Sequence, residues 1–538
     1  MLTLNPEQQE CVNAIDGDWV IIAGPGSGKT RVLVERYLKM RAKGIPDSDI
    51  LNLTFTSQAA QNMLERTGLL NSADVFRTFH SFCLGLLKQE RAYLPFSTID
   101  SVIPVRGEQF MLMKDLLKGY PAITSYFALN DSISQWKAEN VSPREAMEQT
   151  LDSGVIYFHA LAYRDYERRM REEGWLDFDS LVKETVKLLE ENDEVRTRWQ
   201  RKYIAVDECQ DTDTTQFRLL QLLYGGNIFV VGDENQLIYE WRSAQSGNLT
   251  NFTRTFPGAK TLYLGTNYRS TIKLVDFFKK ILPVDNGLAS HMLSARWEGE
   301  DPRIIRYWTE DEEANEVLND ITDRGIVEES AILARTNRQL QLIQRRAMSR
   351  NMRAEIIGKK QVWQENEVKH LIDLTKEHIT DGRPAAVVMQ GLIHSHNLVN
   401  RYANTKNRSM EKDPVENLND FVRLAGRKNK TTGKPLSVSE FLEWLRKITH
   451  MRRKKDAPII TLATIHAAKG REWRYVYLIG VNQGTLPHNN GDLNEEKRIF
   501  FVGCSRASDE LQISFTENHS QFLNDFRDEI EEFNEGEV

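Results

Sequence analysis

Cysteine is scarce in this sequence. Four occur in 538 residues, and Cys11, Cys83, Cys209 and Cys504 stand far apart. No C-x-x-C pair is present, which argues against a zinc ribbon, an iron–sulfur cluster or a disulfide framework. Long hydrophobic runs are lacking too: none approaches the roughly 18 apolar residues of a membrane span. The opening stretch MLTLNPEQQECV has no basic region followed by an apolar one. No signal peptide is expected, and a cytoplasmic location follows by default. Nor is there an excess of positive charge: 70 Lys and Arg face 77 Asp and Glu, for a net charge of -7. Proteins that coat duplex nucleic acid by electrostatics alone are usually basic, so any nucleic-acid site here is a local groove. What is present is a globular composition, 40% hydrophobic and 27% charged. The length implies roughly three or four domains or subdomains.

The first chemical signal is DWVIIAGPGSGKTRVLVERYLKM. Trp19 to Ile22 reads as a buried strand, and Arg31 to Met40 as a helix with apolar Val32, Leu33, Val34 and Leu38. Between them lie Ala23, Gly24, Pro25, Gly26, Ser27, Gly28, Lys29 and Thr30. Strand, Gly-rich loop and helix are the context that a phosphate-binding loop requires. Gly24, Gly26 and Gly28 let backbone N–H groups turn inward around phosphates. The helix N-terminus adds partial positive charge. Lys29 reaches the outer phosphates, and the Thr30 hydroxyl is a ligand for Mg2+.

The second is YIAVDECQDTDTTQ, Tyr203 to Gln216. An apolar run ends abruptly in Asp207 and Glu208, with Asp211 and Asp213 just beyond. Desolvating an unpaired carboxylate is costly, so the cluster lies either in water or beside a cation. Alone it would read as a solvated turn. With a phosphate-binding loop in the same chain, Asp207 holds the magnesium of a bound nucleotide, and Glu208 deprotonates the water that attacks the terminal phosphate.

In order, these and further motifs resemble the superfamily-one DNA helicases of the UvrD, Rep and PcrA type. The resemblance extends over almost the whole chain. LNPEQQECV is similar to the family's adenine-reading motif and places Gln8 on the base; LTFTSQAAQNM implies a DNA contact at Phe55, and RTFHSF one at His80. LDFDSLV matches the family's stretch ahead of the acidic strand, and DECQD its D-E-x-Q-D. VVGDENQLIYEWRSA implies that Gln236 senses the terminal phosphate while Tyr239, Trp241 and Arg242 meet DNA. LGTNYRST implies Tyr268 stacked on adenine and Arg269 on the phosphates. TIHAAKGREWRYVYLIG implies Glu472 on the ribose and His466 near DNA, and EEKRIFFVGCSRAS implies an arginine finger at Arg506. Arg31 completes the nucleotide-binding set. Cys209, Gln483, Ser505 and Arg77 depart from the commoner residues, and none of them is an expected phosphate ligand.

The fold implied is α/β: two RecA-like P-loop motor domains with parallel sheets, each interrupted by a mainly helical insertion. The first motor domain is expected at 1–90 and 200–265, its insertion at 91–199. The second is expected at 266–375 and 455–538, with a reduced insertion at 376–454. Arg269 and Arg506 would then both come from the second. The basic stretches RKNKTTGKP and KITHMRRKK divide evenly between solvated surface and DNA-phosphate contact. DEIEEFNEGEV is expected to fray. Too little chain follows Arg506 for the nuclease domain of recombination-type relatives. The expected activity is ATP-dependent, Mg2+-requiring 3′→5′ movement on single-stranded DNA, with unwinding at junctions of single- and double-stranded DNA. Two other readings remain: a translocase that needs a partner to unwind, and a nucleotide-gated ATPase scaffold beside a separately encoded nuclease or a repair or replication protein.

Overall fold

The computed structural model describes residues 3–69, 74–94, 108–120, 122–123, 126–238, 247–283, 287–350, 352–358, 363, 365–399, 414–426, 433–451 and 458–532. The chain divides into two units, Met1–Glu298 and Gly299–Val538.

The first unit is built on a six-stranded sheet: β1 (Trp19–Ala23), β2 (Ile50–Thr54), β3 (Phe76–Thr78), β4 (Arg201–Val206), β5 (Tyr224–Gly232) and β6 (Lys260–Leu264), in the order β3-β2-β4-β5-β1-β6. Every pairing is parallel. Successive strand residues serve opposite faces, as the two-residue period requires. Val20, Ile204, Ile228 and Val230 enter one core with the helices Phe79–Gln89, Phe178–Glu191 and Thr214–Leu223. Ile21, Ala205, Phe229 and Val231 enter the other with Pro6–Asn13 and Lys29–Ala42. A sheet covered on both faces explains the apolar runs WVIIA and YIAV.

The insertion is helical, with Glu108–Gly119, Tyr126–Ala138, Pro143–Gln149 and Val155–Glu172. Its expected end at 199 runs past the point where the chain rejoins the core: Leu181, Val186, Leu189, Val195 and Trp199 all pack into the first core. At this junction the Lys137 ammonium is buried. It lies 2.6 Å from Asp177 Oδ2 and 2.8 Å from both Glu167 Oε1 and Ser180 Oγ. The Thr215 hydroxyl donates to the Lys137 carbonyl at 3.1 Å, which ties the insertion to the helix following the acidic motif.

Residues 266–298 also pack in the first unit. Strand β7 (Thr266–Asn267) pairs with β8 (Leu293–Ser294), and Tyr268 N–H donates to the Gly26 carbonyl at 2.9 Å. The start expected for the second motor domain, 266, therefore precedes the division at Glu298 by a segment docked on the Gly-rich loop.

The second unit carries a seven-stranded parallel sheet: β9 (Arg303–Arg306), β10 (Ser330–Ala334), β11 (Arg353–Ile356), β12 (Ile459–Thr464), β13 (Trp473–Leu478), β14 (Ala507–Phe515) and β15 (Ile530–Glu532). Their order is β11-β12-β10-β13-β14-β9-β15. Part of the tail expected to fray is thus an edge strand, with Ile530 in register with Ile304. Between β11 and β12 lie the helices Asn366–Lys376, Ala385–Ser395, Pro414–Ala425 and Val438–Met451, with their own core around Leu371, Met389, Phe421 and Phe441. Most of the two basic stretches, Arg427–Pro435 and Lys447–Lys455, lies outside the described residues. Among the described residues, no helix is long and apolar enough to cross a membrane.

Glu313, on the helix Glu310–Asp323, is 4% exposed. Its Oε1 accepts from Ser514 Oγ at 2.5 Å and Gly480 N–H at 2.9 Å, joining the helix to the ends of β13 and β14. Burial pushes its carboxyl up to about 7, against those two bonds. Between about pH 4 and about pH 7 the unfolded chain gives up this proton and the folded chain keeps it, so stability falls as pH rises. Above about pH 7 the whole cost is present. Glu313→Gln removes this contribution. Relative to wild type, the variant should gain about 2–3 kcal/mol between about pH 5 and about pH 8, read from urea midpoints at the two pH values.

Candidate active site

The phosphate-binding loop leaves β1 at Ala23. Gly24 N–H donates to the Leu264 carbonyl at 3.1 Å, and Ser27 Oγ to the Gly24 carbonyl at 2.8 Å. Gly26 and Gly28 are left-handed, with φ of 69° and 89°. A Cβ at Gly26 would lie 2.6 Å from Arg269 Cβ and 2.7 Å from Asn267 Oδ1. Glycine is therefore required there twice over, by conformation and by space. Asn267 is 1% exposed, and its Oδ1 accepts from the backbone N–H groups of Arg269 and Ser270 at 2.7 and 2.8 Å. This turn places Arg269 next to the loop from within the same unit. Tyr268 is 44% exposed, which leaves a face for stacking.

Gln8 is 1% exposed and holds the loop from behind. Its Oε1 closes a capping box with Asn5 N–H, and its Nε2 donates to the Ser27 carbonyl at 3.0 Å. Both ends of the expected base-reading amide therefore have partners in the protein.

Strands β4 and β5 end beside β1 on the same sheet edge, where ligands of parallel sheets gather. Asp207 is 4% exposed and accepts from Glu208 N–H at 3.1 Å. Burial pushes its carboxyl up to about 7; the Glu208 carboxylate adds to the rise and the Lys29 ammonium opposes it. Asp233, at the end of β5, is raised by burial and likewise opposed by Lys29. One ammonium thus serves two buried acids. Lys29 itself donates to the Ala23 carbonyl at 3.4 Å. Glu208 has φ of 51°, a conformation that glutamate rarely adopts away from functional sites. Its Oε2 accepts from Gln210 Nε2 at 2.6 Å, and Gln236 Nε2 donates to Asp233 Oδ2 at 2.7 Å.

The donor set fits a nucleotide with its magnesium ion. Two buried carboxylates with raised pKa share one ammonium, Lys29, which follows a loop with two left-handed glycines. Among the described residues no group of three or more His, Cys, Asp and Glu forms a metal cage. A magnesium ion completed by phosphate and water needs none.

Of the residues expected to meet DNA, Phe55, His80 and His466 are among the described residues. Phe55, just past β2, packs its ring 5.6 Å from Phe79, and His80 lies 6.1 Å from Phe178. Phe178 is 47% exposed, and the sequence reading gave it no role although it stands in LDFDSLV. Tyr239, Trp241 and Arg242 lie outside the described residues. In the second unit, His466 sits half-buried in the short helix after β12, and Glu472 is exposed before β13. Arg506 is 1% exposed and donates to the Val502 and Arg471 carbonyls at 2.9 and 3.3 Å and to Ser505 Oγ at 2.7 Å.

A Gly-rich loop closing on lysine, with two strand-end acids on a parallel sheet, defines a P-loop nucleoside triphosphatase. The family can be stated more narrowly. The UvrD/REP helicase N-terminal domain matches residues 4–257, and the UvrD-like helicase C-terminal domain matches 262–387 and 388–518. The ATP-dependent DNA helicase Rep of Escherichia coli (strain K12) is 26% identical over 626 aligned residues, covering 97% of this chain and 92% of Rep. The ATP-dependent DNA helicase PcrA of Staphylococcus aureus (strain Mu50) is 27% identical over 619, covering 96% and 84%. The chain belongs to the UvrD/Rep helicase family.

Proposed function

We propose that this ATP-dependent DNA helicase hydrolyses ATP at the carboxyl edge of its first sheet and uses the cycle to move 3′→5′ along single-stranded DNA, separating strands at junctions. The observation that carries the reading is the convergence of Lys29, Asp207, Glu208, Asp233 and Gln236 at three neighbouring strand ends. The backbone of Gly24 to Thr30 cradles the phosphates, and Lys29 neutralises the outer ones. Thr30 and Asp207 hold Mg2+, which when bound offsets charge on the phosphate oxygens. Glu208 takes a proton from the water that attacks the terminal phosphorus as the bond to ADP breaks. Gln236 senses that phosphate. Tyr268 and Arg31 hold the adenine with Gln8 behind them, and Glu472 takes the ribose. Arg269 and Arg506 stabilise the charge that develops during transfer.

Phe55 and His80, with Tyr239, Trp241, Arg242 and His466, grip the strand. Aromatic faces hold successive bases without regard to sequence, at roughly 1–3 kcal/mol each. A cytoplasmic location is part of the same proposal. The short helical insertion between β11 and β12 supports a second reading, in which the chain translocates alone but unwinds only with a partner such as a separate nuclease.

Glu208→Gln tests the chemistry. It preserves volume and removes the base, so kcat should fall roughly 10²-fold or more while a non-hydrolysable ATP analogue still binds. Turnover near the wild-type rate would move the base elsewhere, with Asp211, also buried, the next candidate.

A further inference from the structure

We infer that Gln210 is a positioning residue that ties the hydrolytic base to the phosphate-sensing loop, so that Glu208 is aimed only while residues 233–238 are in place. The inference rests on the reading of Glu208 as base and Gln236 as sensor.

Gln210 is fully buried, 0% exposed, amid acids. Its Nε2 donates to Glu208 Oε2 at 2.6 Å, and its Oε1 accepts from Asp233 N–H at 3.0 Å. One amide therefore spans the ends of β4 and β5. From Asp233 the chain of bonds continues: Oδ1 accepts from Asn235 N–H at 3.0 Å, and Oδ2 from Gln236 Nε2 at 2.7 Å. Base and sensor are thus joined through two side chains, Gln210 and Asp233.

The local sequence is shaped around this amide. A Cβ at residue 232 would lie 2.6 Å from Gln210 Oε1 and 3.3 Å from Gln210 N, so Gly232 lets the side chain lie flush against β5. Glu208 is held left-handed at φ 51°, which persists only where the surroundings over-determine it. The chemistry calls for glutamine. The carboxylate needs a donor, the backbone N–H needs an acceptor, and one neutral side chain of this length supplies both. Glutamate would set one acceptor against another. Asparagine is a methylene short.

The test uses Gln210→Met, which keeps the volume and removes both bonds, and Gln210→Glu, which keeps the acceptor for Asp233 and loses the donor to Glu208. In each, kcat with single-stranded DNA should fall about 10–100-fold. KM and the Kd of a non-hydrolysable ATP analogue should stay within about threefold. Should Gln210→Met fail to fold, Gln210→Glu alone carries the same expectation.

A double-mutant cycle separates positioning from packing. If Gln210 acts through Glu208, adding Gln210→Met to Glu208→Gln slows single-turnover hydrolysis no further. An additive loss would overturn the inference. So would Gln210 variants that keep kcat while Glu208→Gln is inactive, leaving the base assignment standing. Full turnover in Glu208→Gln itself would instead remove the base assignment, and the inference with it.

Discussion

Lys29→Ala is expected to lower kcat for ATP hydrolysis by roughly 10²–10³-fold or more, with the fold intact. Lys29 opens the helix Lys29–Ala42, where alanine is the best helix former. Its ammonium makes one long bond, 3.4 Å to the Ala23 carbonyl, and does not pack in a core. What it does is electrostatic: it opposes the rise in pKa of both Asp207 and Asp233. Without it, both acids move further toward the neutral form and the outer phosphates lose their counter-charge. The variant should melt near the wild-type temperature, bind the nucleotide more weakly and scarcely turn it over. Turnover near the wild-type rate would mean that this loop does not hold the reacting phosphates.

Arg506→Lys should be nearly as slow as Arg506→Ala, each losing roughly 10³-fold or more in kcat, with a smaller change in KM. A finger stabilises charge that develops during transfer, and an ammonium cannot fork across two oxygens. The guanidinium is held by Val502, Arg471 and Ser505, and in the proposed role it exchanges some of these acceptors for phosphate oxygens. Arg506→Lys should still bind ATP and single-stranded DNA separately, because neither the phosphate loop nor the aromatic residues change. The linkage between the two ligands should fail. DNA affinity with and without a non-hydrolysable ATP analogue reads this directly. An unchanged nucleotide effect would leave coupling to Arg269 alone, which sits beside Gly26 in the first unit.

Much of the site was legible because its parts are short and local. AGPGSGKT sits between an apolar run and an amphipathic stretch, and DECQD interrupts a buried run with charge. Both patterns need only neighbours in sequence, and strands β1 and β4 end at Ala23 and Val206, where the loop and the first carboxylate begin. What the sequence hid depends on distant packing. Nothing near Phe178 says that its helix closes the first core, because its partners lie on the helices Phe79–Gln89 and Thr214–Leu223. The docking of Tyr268 on Gly26 joins residues far apart in the chain, and no local pattern marks the division at Glu298. The task of Gln210 is invisible within its own motif, since its second partner is the backbone of another strand. The acidic tail was expected to fray on composition alone. Ile530 pairs with β9 because that strand otherwise ends the sheet.

In the proposed function, ATP hydrolysed at this site drives 3′→5′ movement and strand separation. Strand displacement by the full chain on two duplexes, one with a 3′ single-stranded tail and one with a 5′ tail, tests it most directly, with ATP and Mg2+ present. Release of the displaced strand from the 3′-tailed duplex, absent from the 5′-tailed one and absent in Lys29→Ala, is the predicted result. Displacement from the 5′-tailed duplex alone, or from neither, would contradict it.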